Sequence, residues 1–509
     1  MPSATPPHAE AAARSSSGQR ALPELARAPV FSAMVALTVV LTAFSDRYGY
    51  HRDELYFRML KPAWGYVDEP PLTPIVARLF TRVIADQPWA LRIPATLATV
   101  ASVFVVVLVT REVGGGRHAQ TLCAWGYAFA SLPLVMGHVL LTSTLDLPVW
   151  PLVLLLMIRA QIRQQPRWWW LVAGVVVGLS MYNKLLVAVL LVAIAAGLAL
   201  VGPRSTLRSR WVVGGAALAL AIGSPNIAYQ ATHHWPQLSM GRALADHNAG
   251  DVHIQMWPFL LLMLGPPLVP IWIAGIASLL RRPEWWMLRF LAAALPVLLV
   301  LVFIMGSQVY YPFGLVAVLF AIGCVPADRW MAASRRRRGV VGAGVALNAA
   351  VSLVIGLPLI PLSSLGNTPV PAINQIAQDS VGWPAYVREV AGVYSTVPQA
   401  EHAQTVIIAS NYGEAGAIDK YGGTYQLPTV YSGQNQLYYE RRPPSTASVV
   451  VFVGGPFSRL RSQFASCAIV THLDNLIGVD NEEQNQPVAI CRGPIGAWPA
   501  VWPAFKHED

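Results

Sequence analysis

Residues 28–57 read APVFSAMVALTVVLTAFSDRYGYHRDELYF, and the two halves of that stretch have opposite chemistry. From Ala28 to Phe44 no residue is charged, which suits a helix crossing the apolar core of a bilayer, where about 20 such residues are needed. From Ser45 onward come Asp46, Arg47, His51, Arg52, Asp53 and Glu54, interleaved with Tyr48, Tyr50, Tyr56 and Phe57. A spanning helix that delivers a charged, aromatic loop to one membrane face predicts a polytopic α-helical membrane protein with a polar site at that face.

The rest of the chain repeats the first half of that pattern. Of 509 residues, 54% are hydrophobic and 12% charged, with mean hydropathy +0.46. A soluble domain has about a quarter charged residues, so this composition cannot cover a water-facing surface. The net charge of +10 comes as short arginine groups between apolar runs. That is the pattern of membrane loops rather than of a nucleic-acid face, and no nucleic-acid partner is expected. Four cysteines without a CxxC spacing exclude a disulfide scaffold and a cysteine metal site.

Hydropathy predicts eleven membrane helices, near 28–45, 88–110, 119–136, 147–163, 168–181, 184–202, 211–230, 256–280, 285–305, 311–326 and 339–361, with 168–181 and 311–326 short. If residues 1–27, a polar and proline-rich stretch expected to stay unfolded, are cytoplasmic, eighteen arginines from Arg14 to Arg338 fall on the inner side. The outer segments 137–146, 182–183 and 306–310 contain none. Eleven crossings then place the C-terminal part outside the cytoplasmic membrane.

Two outer regions break the apolar pattern. Segment 46–87 concentrates charges of both signs, including the pairs Asp53-Glu54 and Asp68-Glu69, the latter followed by Pro70-Pro71-Leu72. Adjacent carboxylates there suit a general base or a divalent-cation ligand, and equally a solvated loop with acid–arginine pairs. From 363 to 509, β-rich runs (TVIIAS 405–410, SVVVFVGG 448–455, CAIVT 467–471, PVAIC 487–491) alternate with helical stretches, which predicts a small α/β domain following a membrane domain over 28–362. Cys467 and Cys491 fall in it, either as a disulfide or as two buried thiols.

Single residues carry competing readings. Lys184 is the one charge between Arg167 and Arg204; it is a snorkelling interface cation or a phosphate ligand. Arg78 and Arg92 anchor the interface or reach the same phosphate. Tyr310 and Tyr311 belong to an interfacial aromatic belt or to the site. Asp146 complements a helix N-terminus or lines a pocket. His233 and His234 lack the carboxylate spacing of a zinc site.

The ordered motifs HRDELYF (51–57), GYVDEPPLTPIVARL (65–79), LTSTLD (141–146), Tyr182-Asn183-Lys184, Ser224-Pro225-Asn226, His234-Trp235-Pro236 and Gly306 to Tyr311, with NYGEA (411–415) and YSGQN (431–435), carry a resemblance. From about residue 40 onward the chain resembles bacterial membrane glycosyltransferases of glycosyltransferase family 39, of the GT-C class, related to protein O-mannosyltransferases and the lipid A aminoarabinose transferase. The resemblance implies inverting transfer of a sugar from a polyprenyl-phosphate donor to an acceptor hydroxyl of a glycan, lipid or protein at the outer face. It implies Asp53 as base, with Glu54 supporting it or helping to hold a divalent cation. Lys184, Arg78, Arg92, Tyr310 and Tyr311 are then expected around the donor phosphate, and Arg52, Asp68, Glu69 and Asp146 around the sugar or acceptor. The Lys-Pro that usually precedes the family's Tyr-Tyr pair is Gln308-Val309 here, which throws weight onto Lys184 and the loop arginines. A transporter, or a relative that only binds lipid-linked sugar, is the competing class. Transporters usually show related halves and charges near the midplane, whereas these charges gather at one edge.

Overall fold

The computed structural model of the chain describes residues 22–163 and 168–508. Most of the expected unfolded tail lies outside the described residues, as do Arg14, Arg20 and Arg167. Among the described residues, seven helices are long and apolar enough to cross a membrane: Arg27–Phe44, Pro88–Glu112, Thr142–Ile162, Arg210–Thr232, Pro283–Met305, Phe313–Ala332 and Arg335–Gly356. A bent pair, Val252–Leu262 meeting Pro266–Arg281 at 67°, makes an eighth if it is counted as one span. The kink falls at Gly265, whose φ of +100° suits glycine, and the Asn348 amide caps the freed Leu264 carbonyl at 2.9 Å.

Among the described residues seven or eight spans thus pass by length and apolarity, so the eleven that hydropathy suggests are not confirmed, for local reasons. The run 119–136 divides into Arg117–Ala128 and Ser131–Gly137. Trp169–Ser180 and Val187–Val201 are apolar but only 12 and 15 residues long, about 18 and 22 Å against a hydrocarbon core of about 30 Å. The run 311–326, expected short, extends to a 20-residue helix.

In lipid, helices gain little by hiding apolar surface from one another, so close backbone approach through small residues matters more. A Cβ on Gly174 would strike the Gly215 carbonyl, and one on Gly215 the Trp170 carbonyl, joining Trp169–Ser180 to Arg210–Thr232. Gly275 and Gly323 perform the same service between Val269–Arg281 and Phe313–Ala332. Away from the acidic loop, the buried Glu112 carboxylate holds Arg159 at 3.0 Å and Arg163 at 2.6 Å, fastening the ends of Pro88–Glu112 and Thr142–Ile162.

Beyond residue 363 lies a five-stranded sheet in the order β2-β1-β3-β5-β4, with β1 Thr405–Ala409, β2 Val430–Ser432, β3 Val449–Val453, β4 Phe464–His472 and β5 Pro487–Pro494. β1, β2 and β3 run parallel, while β5 is antiparallel to β3 and β4. The all-buried sequences TVIIA and VVVFV occupy the two central parallel strands, as doubly covered strands should. Cys467 and Cys491 are directly opposite on β4 and β5 and are disulfide-bonded.

Segment 46–87 is not a free loop. Its helix Arg52–Met59 puts Leu55, Tyr56 and Phe57 into one hydrophobic core with Trp383, Val387, Ile407, Ala417 and Val451 of the sheet domain. Gly416 lets the helix Tyr412–Tyr421 lie directly on Leu55, since a Cβ there would come within 2.7 Å of it. Arg58 then bridges Asp86 at 3.1 Å and Asp419 at 2.9 Å across the junction.

Candidate functional site

The helix Arg52–Met59 starts with a capping box. His51 Nδ1 accepts from the Asp53 amide at 3.1 Å, while the Glu54 carboxylate accepts from the His51 amide at 2.9 Å. Burial lowers the His51 pKa, so its ring is neutral and fit to accept. This geometry turns the two adjacent acids in opposite directions. Glu54 is fully buried; besides His51, its oxygens take Arg92 at 3.2 and 3.3 Å and the Leu140 amide at 3.0 Å. Asp53 stays partly exposed, and among the described residues the one hydrogen bond its carboxylate accepts comes from Tyr412 Oη, at 3.0 Å to Oδ1.

Arg92 therefore has a different occupation from the phosphate contact expected of it. It is 1% exposed, and its guanidinium also donates to the carbonyls of Ser45, Arg47 and Gly49, tying down the turn after the first span. That turn needs φ of +67° at Tyr48 and +96° at Gly49. Glu54, with both oxygens engaged, likewise offers no free ligand to a cation. Among the described residues no group of three or more His, Cys, Asp or Glu side chains is arranged to hold a metal ion, so the expected divalent cation is not confirmed.

The second acidic pair sits just before Pro70-Pro71, which opens the helix Leu72–Val83. Asp68 Oδ1 and Glu69 Oε1 are buried without hydrogen bonds. Burial raises the Asp68 carboxyl to about 7, helped by Asp53 and Glu508 and opposed by Tyr56. Burial, then Asp68 and Asp53, raise Glu69 well above the usual carboxylate range, while Lys184 acts in the opposite direction. Asp53, Asp68, Glu69 and Lys184 consequently share one electrostatic neighbourhood.

Lys184 is held there by a short relay. The Leu72 amide donates to the Tyr182 carbonyl at 2.9 Å, and Thr73 Oγ1 donates to Asn183 Oδ1 at 2.7 Å. The Asn183 amide in turn donates to Asp146 at 2.9 Å and to the Thr142 carbonyl at 2.8 Å. Lys184 Nζ donates to Ser143 Oγ at 3.2 Å and lies 4.9 Å over the Tyr311 ring; Ser143 Oγ donates to Tyr310 Oη at 3.0 Å. Asp146, Ser143, Trp150, Leu186, Tyr310 and Tyr311 line a narrow cavity of about 30 Å³.

Two further predicted residues have partners of their own. Arg78 donates to the Leu60 carbonyl at 2.8 Å and keeps its buried Nε unpaired. Arg52 turns to the sheet domain, where it pairs with Glu482 and stacks 4.8 Å over the Tyr412 ring. Sequence reasoning assigned no role to Tyr412, Ser143 or Asn183, although all three lie inside the quoted motifs.

Comparison with known proteins agrees with this architecture. Residues 68–229 match the family model described as dolichyl-phosphate-mannose-protein mannosyltransferase. Among solved structures, the chain resembles ArnT from Cupriavidus metallidurans bound to undecaprenyl phosphate, at 14% identity and a TM-score of 0.59, covering 90% of this chain and 97% of that one. The apo form of that protein gives a TM-score of 0.57 over the same shares, again at 14% identity. No curated protein matches significantly. The fold is therefore the GT-C glycosyltransferase fold, in a multi-pass membrane protein with a small sheet domain, as the motif resemblance implied.

Proposed function

We propose that the protein is an inverting membrane glycosyltransferase that moves a sugar from a polyprenyl-phosphate donor to an acceptor hydroxyl, with Asp53 as the general base. The observation that carries this reading is the convergence of a partly exposed carboxylate, Asp53, bonded by the sheet domain, with a second acidic pair and with Lys184, which is seated over two tyrosine rings. The match of residues 68–229 to a family acting on dolichyl-phosphate-mannose supports it, as does the likeness in fold to a protein crystallised with undecaprenyl phosphate.

In this mechanism Asp53 takes the acceptor proton as the acceptor oxygen attacks the anomeric carbon. The bond from that carbon to the phosphate oxygen breaks, leaving a glycoside, polyprenyl phosphate and a protonated Asp53. The leaving phosphate is received by Lys184, where exclusion of water strengthens a charge-assisted contact. Tyr310 and Tyr311 flank it. Arg78, whose Nε is unpaired, is retained as the second cation; Arg92 is not. Asp68, Glu69 and Asp146 are assigned to the sugar or acceptor, and the site to the outer face of the cytoplasmic membrane. The acceptor is a glycan, lipid or protein hydroxyl.

The test is Asp53→Asn in purified protein supplied with undecaprenyl-phosphate hexoses and pentoses and with envelope glycans, lipids or proteins as acceptors. Loss of glycoside formation by at least about a hundredfold is expected for a general base. Undiminished transfer would remove Asp53 from the role, and donor movement across proteoliposomes without a glycosidic bond would favour transport.

A further inference from the structure

The sheet domain bonds the Asp53 carboxylate through one hydroxyl. Tyr412 is the first residue of the helix Tyr412–Tyr421, and its Oη donates to Asp53 Oδ1 at 3.0 Å. A carboxylate can only accept, so the phenol must be the donor. Burial keeps it protonated, pushing its pKa well above the usual value.

The ring behind that hydroxyl is fixed on several sides. Arg52 stacks 4.8 Å from its centre, and the Tyr56 ring lies 4.8 Å away, tilted by 36°. The Tyr412 amide donates to Gln434 Oε1 at 2.5 Å. The helix start is locked by its own capping box, Asn411 Oδ1 accepting from the Glu414 amide at 2.8 Å and Glu414 accepting from the Asn411 amide at 3.2 Å. Phenylalanine would fill the same slot between Arg52 and Tyr56; only the hydroxyl faces Asp53. Asp53 itself has a rotatable carboxylate, and no other hydrogen bond to that carboxylate is made among the described residues.

We infer that Tyr412 is a positioning residue for Asp53, and that the sheet domain is thereby part of the catalytic apparatus rather than only a cover. Anchoring Oδ1 leaves Oδ2 as the oxygen presented to the acceptor, in one orientation. A group so oriented loses less freedom on reaching the transition state. The inference rests on Asp53 as the base, and the experiment separates the two.

The variant is Tyr412→Phe in the full chain, with two readouts. The first needs no substrate: carbodiimide and glycine ethyl ester label exposed carboxylates, and mass spectrometry reads the peptide holding Asp53 and Glu54. Labelling of Asp53 is expected to rise several-fold, with buried Glu54 and exposed Glu482 unchanged as internal controls. An unchanged Asp53 rate, or a rise shared by all three, would overturn the inference, the latter because it reports undocking of the whole domain. The second readout uses undecaprenyl-phosphate hexoses: kcat is expected to fall about tenfold, the worth of one charged hydrogen bond, with the donor KM unchanged. A rise in KM at constant kcat would also overturn it. If Asp53→Asn remains active, the base assignment fails. If Asp53→Asn is inactive while Tyr412→Phe behaves as wild type in both readouts, only the positioning role fails.

Discussion

Replacing Arg92 by methionine should unfold the first outer segment rather than weaken donor binding. Glu54 and Arg92 have side-chain exposures of 0% and 1% and meet at 3.2 Å. The substitution leaves a carboxylate in a dry site facing only the amides of His51 and Leu140, and strips donors from the carbonyls of Ser45, Arg47 and Gly49. Breaking a buried ion pair from one side typically costs about 3–5 kcal/mol. Each 1.4 kcal/mol is about a factor of ten, so the folded-to-unfolded ratio should drop roughly a hundred- to a few thousandfold. Removing both charges with Glu54→Leu and Arg92→Met should recover part of that loss, because the uncompensated charge is gone. Thermal unfolding in detergent, followed by the exposure of Cys123 and Cys324, both buried and free, provides the assay. Donor KM, measured where both proteins are still folded, should be unchanged. A stable Arg92→Met protein with a raised donor KM would refute this reasoning and return the guanidinium to the phosphate.

Two more outcomes follow from the same geometry. Lys184→Met should raise the KM for an undecaprenyl-phosphate sugar about 10- to 100-fold, the worth of a charged hydrogen bond, and Lys184→Arg should restore part of it. An unchanged KM would leave Lys184 as an interface cation. The second concerns pH: burial raises Asp379 to about 8, opposed by Arg52 and reinforced by Glu483, Asp53 and Glu482, while neutral His51 lies 3.8 Å away. An unfolded aspartate titrates near about 4, so between about pH 4 and 8 the folded form holds a proton the unfolded one has lost, and stability falls as pH rises through that window. Asp379→Asn should match wild type in thermal stability near pH 4 and exceed it near pH 8. Equal stability at both pH values would contradict the buried, protonated acid. Glu414, raised to about 8 by burial, adds a residual slope of the same sign.

Apolar runs and the crowding of charge into 46–87 were legible because membrane insertion is a local property, read window by window. The strands at 405–410, 448–455, 467–471 and 487–491 were legible for the same reason, whereas β2 is three residues long and too short to show a pattern. The breaks at Phe129-Ala130 and Met263 to Gly265 were not legible, since apolar composition continues through them and their caps come from distant residues, Asn348 among them. At the site, hydropathy cannot distinguish an arginine at the interface from Arg92, which is buried on a carboxylate 38 residues away. Nor can it distinguish the two acids of a DE pair. Only the capping geometry of His51 turns Glu54 inward and leaves Asp53 facing out.

The bond between Tyr412 and Asp53 spans 359 residues of chain. A ribosome adding about 5–20 residues per second needs roughly 20–70 s to travel from one partner to the other. Throughout that interval the first acidic segment is already in the membrane, but the phenol that would aim its carboxylate has not been made. Placing the proposed aiming group so far downstream of the acid acts as a timer: a half-translated chain carries the acid without the hydroxyl that would orient it. On the proposed mechanism, nascent copies would turn over more slowly until the sheet domain had been made, folded and seated.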